Sequence, residues 1–153
     1  MPHTLYVAFS YPMSRGGVSG ALAARRLRLW EDRTVAKMLV QLVTGPENPS
    51  RAALALLVAR TAAAEGHEVR LFLAADAVQL LRPETAQAVQ GVGTGSFSEH
   101  WDAVATAGVP VFASGMSSKA RGIDASALEG QVEMAQPTKL VELAVWADTT
   151  LVY

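Results

Sequence analysis

Residues 114–122 read Ser-Gly-Met-Ser-Ser-Lys-Ala-Arg-Gly and follow the apolar run Val109-Pro110-Val111-Phe112-Ala113. A small-residue turn with three hydroxyls and two cations, Lys119 and Arg121, has the groups to hold an anion. With an activated serine it has the groups for hydrolysis or group transfer. In an α/β protein such a turn lies beyond the carboxyl end of a strand, where ligands bind. Ser117-Ser118-Lys119 carries the residue types of serine–lysine catalysis, but the Ser-x-x-Lys spacing needs serine at 116, which is Met116. Serines here also serve as helix caps, a purely structural use. The 153 residues include no cysteine, which removes disulfides, thiolate metal ligands and thiol nucleophiles.

The other candidates are weaker. Gly91-Val92-Gly93-Thr94-Gly95-Ser96 has no lysine for a phosphate-binding loop and does not follow the first strand, as a dinucleotide fingerprint must. His100, between Glu99 and Trp101, has acid–base chemistry available; the alternative is a solvent-facing histidine in a first helical turn. His67 follows a helix stop and reads as a surface residue. Three scattered histidines without cysteine make no metal site, and no cofactor is expected. Glu47 precedes a helix start, where the helix dipole favours its charge without any catalytic role. Trp101 and Trp146 have helix-face spacing, expected in the core or at an interface.

The elements that must position the turn are regular. Residues 38–43 form a short buried strand ending at Thr44-Gly45-Pro46, and Asn48-Pro49 caps a helix over 50–65 that stops at Gly66. A second strand spans 68–74, then a short helical segment over 75–81 is cut by Pro83. Ser98 is the expected cap of a helix closing at Gly108. Strand three covers 109–113, a weak fourth 132–135, a helix 137–147 and a last strand 149–153. Strands alternating with helices predict a three-layer α/β fold around a parallel five-stranded sheet in flavodoxin-like order. In that order strands one and three flank the switch point, so the loop 44–48 faces 114–121. The candidate ligand-binding residues are therefore Thr44, Gly45, Glu47, Asn48, Ser114, Gly115, Ser117, Ser118, Lys119 and Arg121, with Gly91–Ser96 expected at the same sheet edge. The 52–59 stretch, Ala-Ala-Leu-Ala-Leu-Leu-Val-Ala, is apolar all round, which predicts either a subunit interface or alanines left at the surface.

Half the residues are apolar and 18% charged, an ordinary globular balance. The formal charge of −1 offers no basic excess for nucleic acid or an anionic membrane. No apolar run reaches the ~18 residues that span a bilayer, so a cytoplasmic body is expected. Charge is uneven along the chain: residues 1–34 hold five arginines against Glu31 and Asp32, and the remainder holds eight basic against twelve acidic residues. The basic cluster follows the apolar patch instead of preceding it, unlike a signal peptide. Residues 1–34 are expected to be a disordered extension, or one translated upstream of a start at Val35, leaving 35–153 as a single domain.

Residues 37–153 resemble the DsrE/DsrF-like (YchN-like) family of small bacterial and archaeal α/β proteins. The resemblance is carried by Leu42-Val43-Thr44-Gly45-Pro46-Glu47-Asn48 with the Ala-rich first helix, and by Gly66-His67-Glu68-Val69-Arg70-Leu71-Phe72-Leu73. Residues 109–122, the terminal helix and Ala147-Asp148-Thr149-Thr150-Leu151-Val152-Tyr153 continue it. It implies a flavodoxin-like fold and homotrimers or homohexamers. The best-understood relatives relay persulfide sulfur through a cysteine after strand three, and some carry Cys-Gly-x-Cys-x-x-Ala-Arg-Gly there. On that pattern Ser114 and Ser117 stand in the cysteine places, while Gly115, Ala120, Arg121 and Gly122 match. A serine hydroxyl forms no persulfide, so sulfur carriage does not transfer. The resemblance then implies a non-redox protein binding a small anionic ligand or a protein partner. A structural or regulatory subunit of a sulfur-relay or stress complex, and a Ser/Lys-dependent hydrolase or transferase, are the alternatives.

Overall fold

β1 (Lys37–Leu42) is the strand from which the rest is built, and its side chains alternate between two buried faces. Val40 and Leu42 join Leu71, Leu73, Val111 and Ala113 in the larger core cluster, while Leu39 joins Phe72 and Phe112 in a second. This period of two is what a strand covered on both faces requires. The computed structural model describes residues 34–124 and 126–153, so the expectation of an extension over 1–34 lies almost wholly outside the described residues. Val35–Tyr153 is one compact unit.

After β1 come α1 (Pro49–Ala64) and β2 (Glu68–Leu73), then a 3-10 segment (Ala75–Leu81) and α2 (Pro83–Ala88). A two-residue hairpin, β3 (Gln90–Gly91) with β4 (Gly95–Ser96), leads into α3 (Phe97–Thr106) and β5 (Val111–Ser114). The chain continues through α4 (Gly115–Ala120), a 3-10 turn (Ser126–Leu128), β6 (Glu133–Ala135), α5 (Pro137–Trp146) and β7 (Thr149–Val152). β1, β2, β5, β6 and β7 form a five-stranded sheet in which every described pairing is parallel. α1 covers one face, and α5, through Leu143 and Leu140, packs in the second cluster on the other. The three-layer parallel α/β architecture is the one expected.

The strand order departs from expectation. The sheet reads β6-β5-β2-β1-β7, so β2 lies between strands one and three. The chain steps outward from β1 and reverses only at β7, which returns to the free side of β1. The switch point is the β1–β7 boundary, where the backbone N–H groups of Val43 and Thr44 donate to the Tyr153 carbonyl. Loops 44–48 and 114–121 therefore do not face each other across an open crevice. The turn after β2 stands between them.

Local chemistry explains the helix boundaries. Asn48 caps α1 by accepting from the Arg51 N–H at 3.1 Å, and Pro49 sits where no N–H is needed. The 3-10 segment ends at Leu81, ahead of Pro83 as expected, and Pro83 also starts α2 for the same reason as Pro49. The cap of α3 is Ser96, whose Oγ accepts from the Glu99 N–H, not Ser98, which hydrogen-bonds Ser96 instead. The all-round apolar α1 is covered in large part by its own chain, with Leu54, Leu57 and Val58 left half-buried. It is sandwiched between the sheet and the hairpin–α3 unit, so Ala52, Ala53, Ala55, Leu56, Ala59 and Ala62 are all buried within one chain. Small alanines are what allow this close approach: a Cβ on Gly91 would lie 3.1 Å from the Ala53 Cβ.

Candidate functional site

At the carboxyl edge of the sheet three turns are knitted together by one residue, Asp76, in the turn after β2. Its Oδ1 accepts from Arg121 Nη2 at 2.7 Å and from Arg121 Nε at 3.2 Å. Its backbone carbonyl sits where a side chain on Gly45 would be, 2.4 Å from an ideal Cβ. Ala75, immediately before it, has a φ of 49°, a region that non-glycine residues enter only at a cost of order 1 kcal/mol. The Ala75 N–H donates to Ser117 Oγ at 3.0 Å. Backbone and side chain of the β2 turn thus hold both neighbouring turns.

The ten residues singled out from the sequence divide accordingly. Gly45, Glu47, Ser117 and Arg121 belong to this cluster; Glu47 Oε1 accepts from the Gly45 N–H at 2.8 Å. Ser114 caps α4, its Oγ accepting from the Ser117 N–H at 3.2 Å. Gly115 lies against the Ala135 carbonyl of β6. Ser118 is 2% exposed, and its Oγ has no partner among the described residues. Thr44 closes onto Tyr153 through its backbone, and Asn48 uses its side chain to cap α1 while its N–H donates to the Gly45 carbonyl at 3.3 Å, so neither side chain enters the cluster. Lys119 is exposed and makes no ion pair among the described residues.

These positions set the available chemistry. Ser117 and Lys119 are two positions apart on a helix and therefore point to opposite sides. Ser118, nearer in sequence, is buried. The serine–lysine dyad does not assemble. Arg121 already has a carboxylate, so an arriving anion must compete with Asp76, while Lys119 offers an uncommitted charge.

Gly91–Ser96 docks on the first turn of α1: the Val92 N–H donates to Ser50 Oγ and Thr94 Oγ1 to the Ser50 carbonyl. His100 is not the solvent-facing residue expected. It is 6% exposed, and its Nε2 lies 2.6 Å from the Thr94 carbonyl, pinning the hairpin to α3. His67 is half-buried, with Nδ1 accepting from the Ala36 N–H at 3.2 Å. Trp101 stacks on Phe97, and Trp146 lies under the Arg70 guanidinium. Among the described residues no group of three or more His, Asp or Glu could hold a metal ion, and no helix is long and apolar enough to cross a membrane.

Sequence reasoning missed Asp76 and Ala75. The usable signal was their position directly after a buried strand, the same rule that selected 44–48 and 114–121.

Comparison with known proteins places the geometry in context. No curated protein gives a match. Among solved structures, the crystal structure of the ychN protein from E. coli is similar in fold, with a TM-score of 0.61 at 22% identity, covering 78% of this chain and 100% of that one. The model of the DsrE/DsrF-like family matches residues 36–153, nearly all of the described chain, and on that match the protein belongs to the DsrE/DsrF-like family.

Proposed function

We propose that this protein is a non-redox, homo-oligomeric member of its family that acts in the cytoplasm by binding. Its ligand is a small anion or a protein partner taken at the 114–121 turn. The observation that carries this reading is the state of that turn. The framework residues Gly115, Ala120, Arg121 and Gly122 are kept, no cysteine is present in the 153 residues, and the hydroxyls of Ser114 and Ser117 are committed to backbone N–H groups. What is left for an incoming group is charge, not a nucleophile. Lys119 is exposed, and among the described residues Arg121 pairs with one carboxylate oxygen, Asp76 Oδ1.

Self-association as a trimer or hexamer is supported by apolar side chains that the chain leaves in solvent. On α5, Val141 and Val145 are 63% and 82% exposed, and Val152 of β7 is 54% exposed. One turn apart on one helix, Val141 and Val145 form a stripe that another copy would bury. The same stripe supports the second reading, a structural or regulatory subunit of a larger complex.

Soaking crystals with sulfate, phosphate and small carboxylates tests the ligand reading. The expected result is an anion within hydrogen-bond distance of Lys119, with Arg121 turned toward it. An Arg121 still closed on Asp76 in every soak, with no anion at the turn, overturns the anion reading.

A further inference from the structure

Beside the knitted turns lies a half-open cavity of about 550 Å³, between the 3-10 segment, α2, α3 and residues 122–124 and 127–131. That volume is within the range of small-molecule sites. Residues 44–48 and 114–121 take no part in its lining.

Its floor is apolar and firmly built. Leu80 and Leu81 are 2% and 6% exposed, and Trp101, Ile123 and Leu128 pack against the main core. Trp101 is supported from behind by Phe97, with ring centroids 6.1 Å apart, so it offers a fixed aromatic wall. The rim is acidic. Glu84, Asp102 and Asp124 supply three carboxylates against one guanidinium, that of Arg82. Arg82 is already committed, its Nη2 donating to the Arg121 carbonyl. The hydroxyl and backbone N–H of Ser126 both donate to Asp124 Oδ1 and hold its carboxyl below the ordinary value, so it is ionised at neutral pH. An aromatic floor under an acidic rim repels anions and attracts a cation with an apolar body.

We propose that this cavity is a binding site for a small organic ammonium ion. The apolar body lies on Trp101 and Leu128, and the ammonium sits between Asp102 and Asp124. The site is separate from the 114–121 turn and stands whether or not an anion binds there.

Three probes of one shape and different charge test it: phenethylammonium, phenethyl alcohol and phenylacetate, titrated into the isotope-labelled full chain. The readout is the indole N–H resonance of Trp101, assigned by its loss in Trp101→Phe, with Trp146 as an internal control. Phenethylammonium is expected to shift Trp101 saturably and leave Trp146 in place. Phenylacetate should bind roughly tenfold more weakly, and the Asp102→Asn/Asp124→Asn double variant should lose roughly three- to tenfold of the ammonium affinity. The double variant changes exposed rim groups, so its fold is checked by an otherwise unchanged spectrum. Absence of a saturable Trp101 shift, equal affinities for the three probes, or undiminished binding by the folded double variant each overturns the proposal.

Discussion

Gly45 has no room for a side chain. An ideal Cβ there would lie 2.4 Å from the Asp76 carbonyl oxygen and 2.8 Å from its carbonyl carbon, and both are backbone atoms that cannot swing away. Gly45→Ala is therefore expected to destabilise the fold by about 1–3 kcal/mol in urea denaturation. A change within about 0.5 kcal/mol would show that the two turns are not in contact. Arg121 presents the opposite case. Its pair with Asp76 is 30% and 51% exposed on the two sides, so it adds little to stability and serves mainly to fix where the guanidinium sits. Residue types at 114–122 were legible in the sequence as chemistry-bearing groups after a strand, but 115–120 form the short helix α4 and not the open turn expected. Their partners were not legible, because a hydrogen bond between Ala75 and Ser117 spans 42 positions and leaves no local pattern.

α1 and α5 carry opposite lessons about apolar helices. α1 turns most of its apolar residues onto the sheet and the hairpin–α3 unit of its own chain, and leaves Leu54, Leu57 and Val58 half-buried. α5 buries only Leu143 fully and leaves Val141 and Val145 in solvent. The valines of α5 are the more exposed apolar surface, and self-association is tested there first. Val145→Lys is expected to keep monomer stability within about 0.5 kcal/mol, because the side chain is already exposed. The same change should lower the assembly state in sedimentation velocity, by placing a charge in a buried interface. An unchanged sedimentation coefficient would remove α5 from the interface. Most element boundaries were readable from caps and periodicity: Asn48-Pro49, Gly66 and the alternation in β1 mark them directly. The short α2 was missed because Pro83 both ends one helical segment and starts the next, and the start of α3 was misplaced because Ser96 and Ser98 are both cap residues.

Across the whole molecule, five parallel strands and two covering layers follow from alternating strand and helix signals. The neighbour relation of those strands does not. Nothing local to β2 says that it lies between β1 and β5, yet that one fact moves the switch point to the β1–β7 boundary. It also replaces an expected crevice between 44–48 and 114–121 with the packed turn at Asp76. There the hydroxyls of Ser114 and Ser117 accept from backbone N–H groups, and Ser118 is buried. On the proposed reading this segment binds through charge and does not react. The most direct measurement is a sulfate titration at constant ionic strength, following the amide resonances of residues 115–122 in the full chain and in Lys119→Gln. A saturable shift at the turn is expected, and Lys119→Gln should weaken it by roughly three- to tenfold. A turn that does not respond to sulfate, or that responds equally without Lys119, contradicts it.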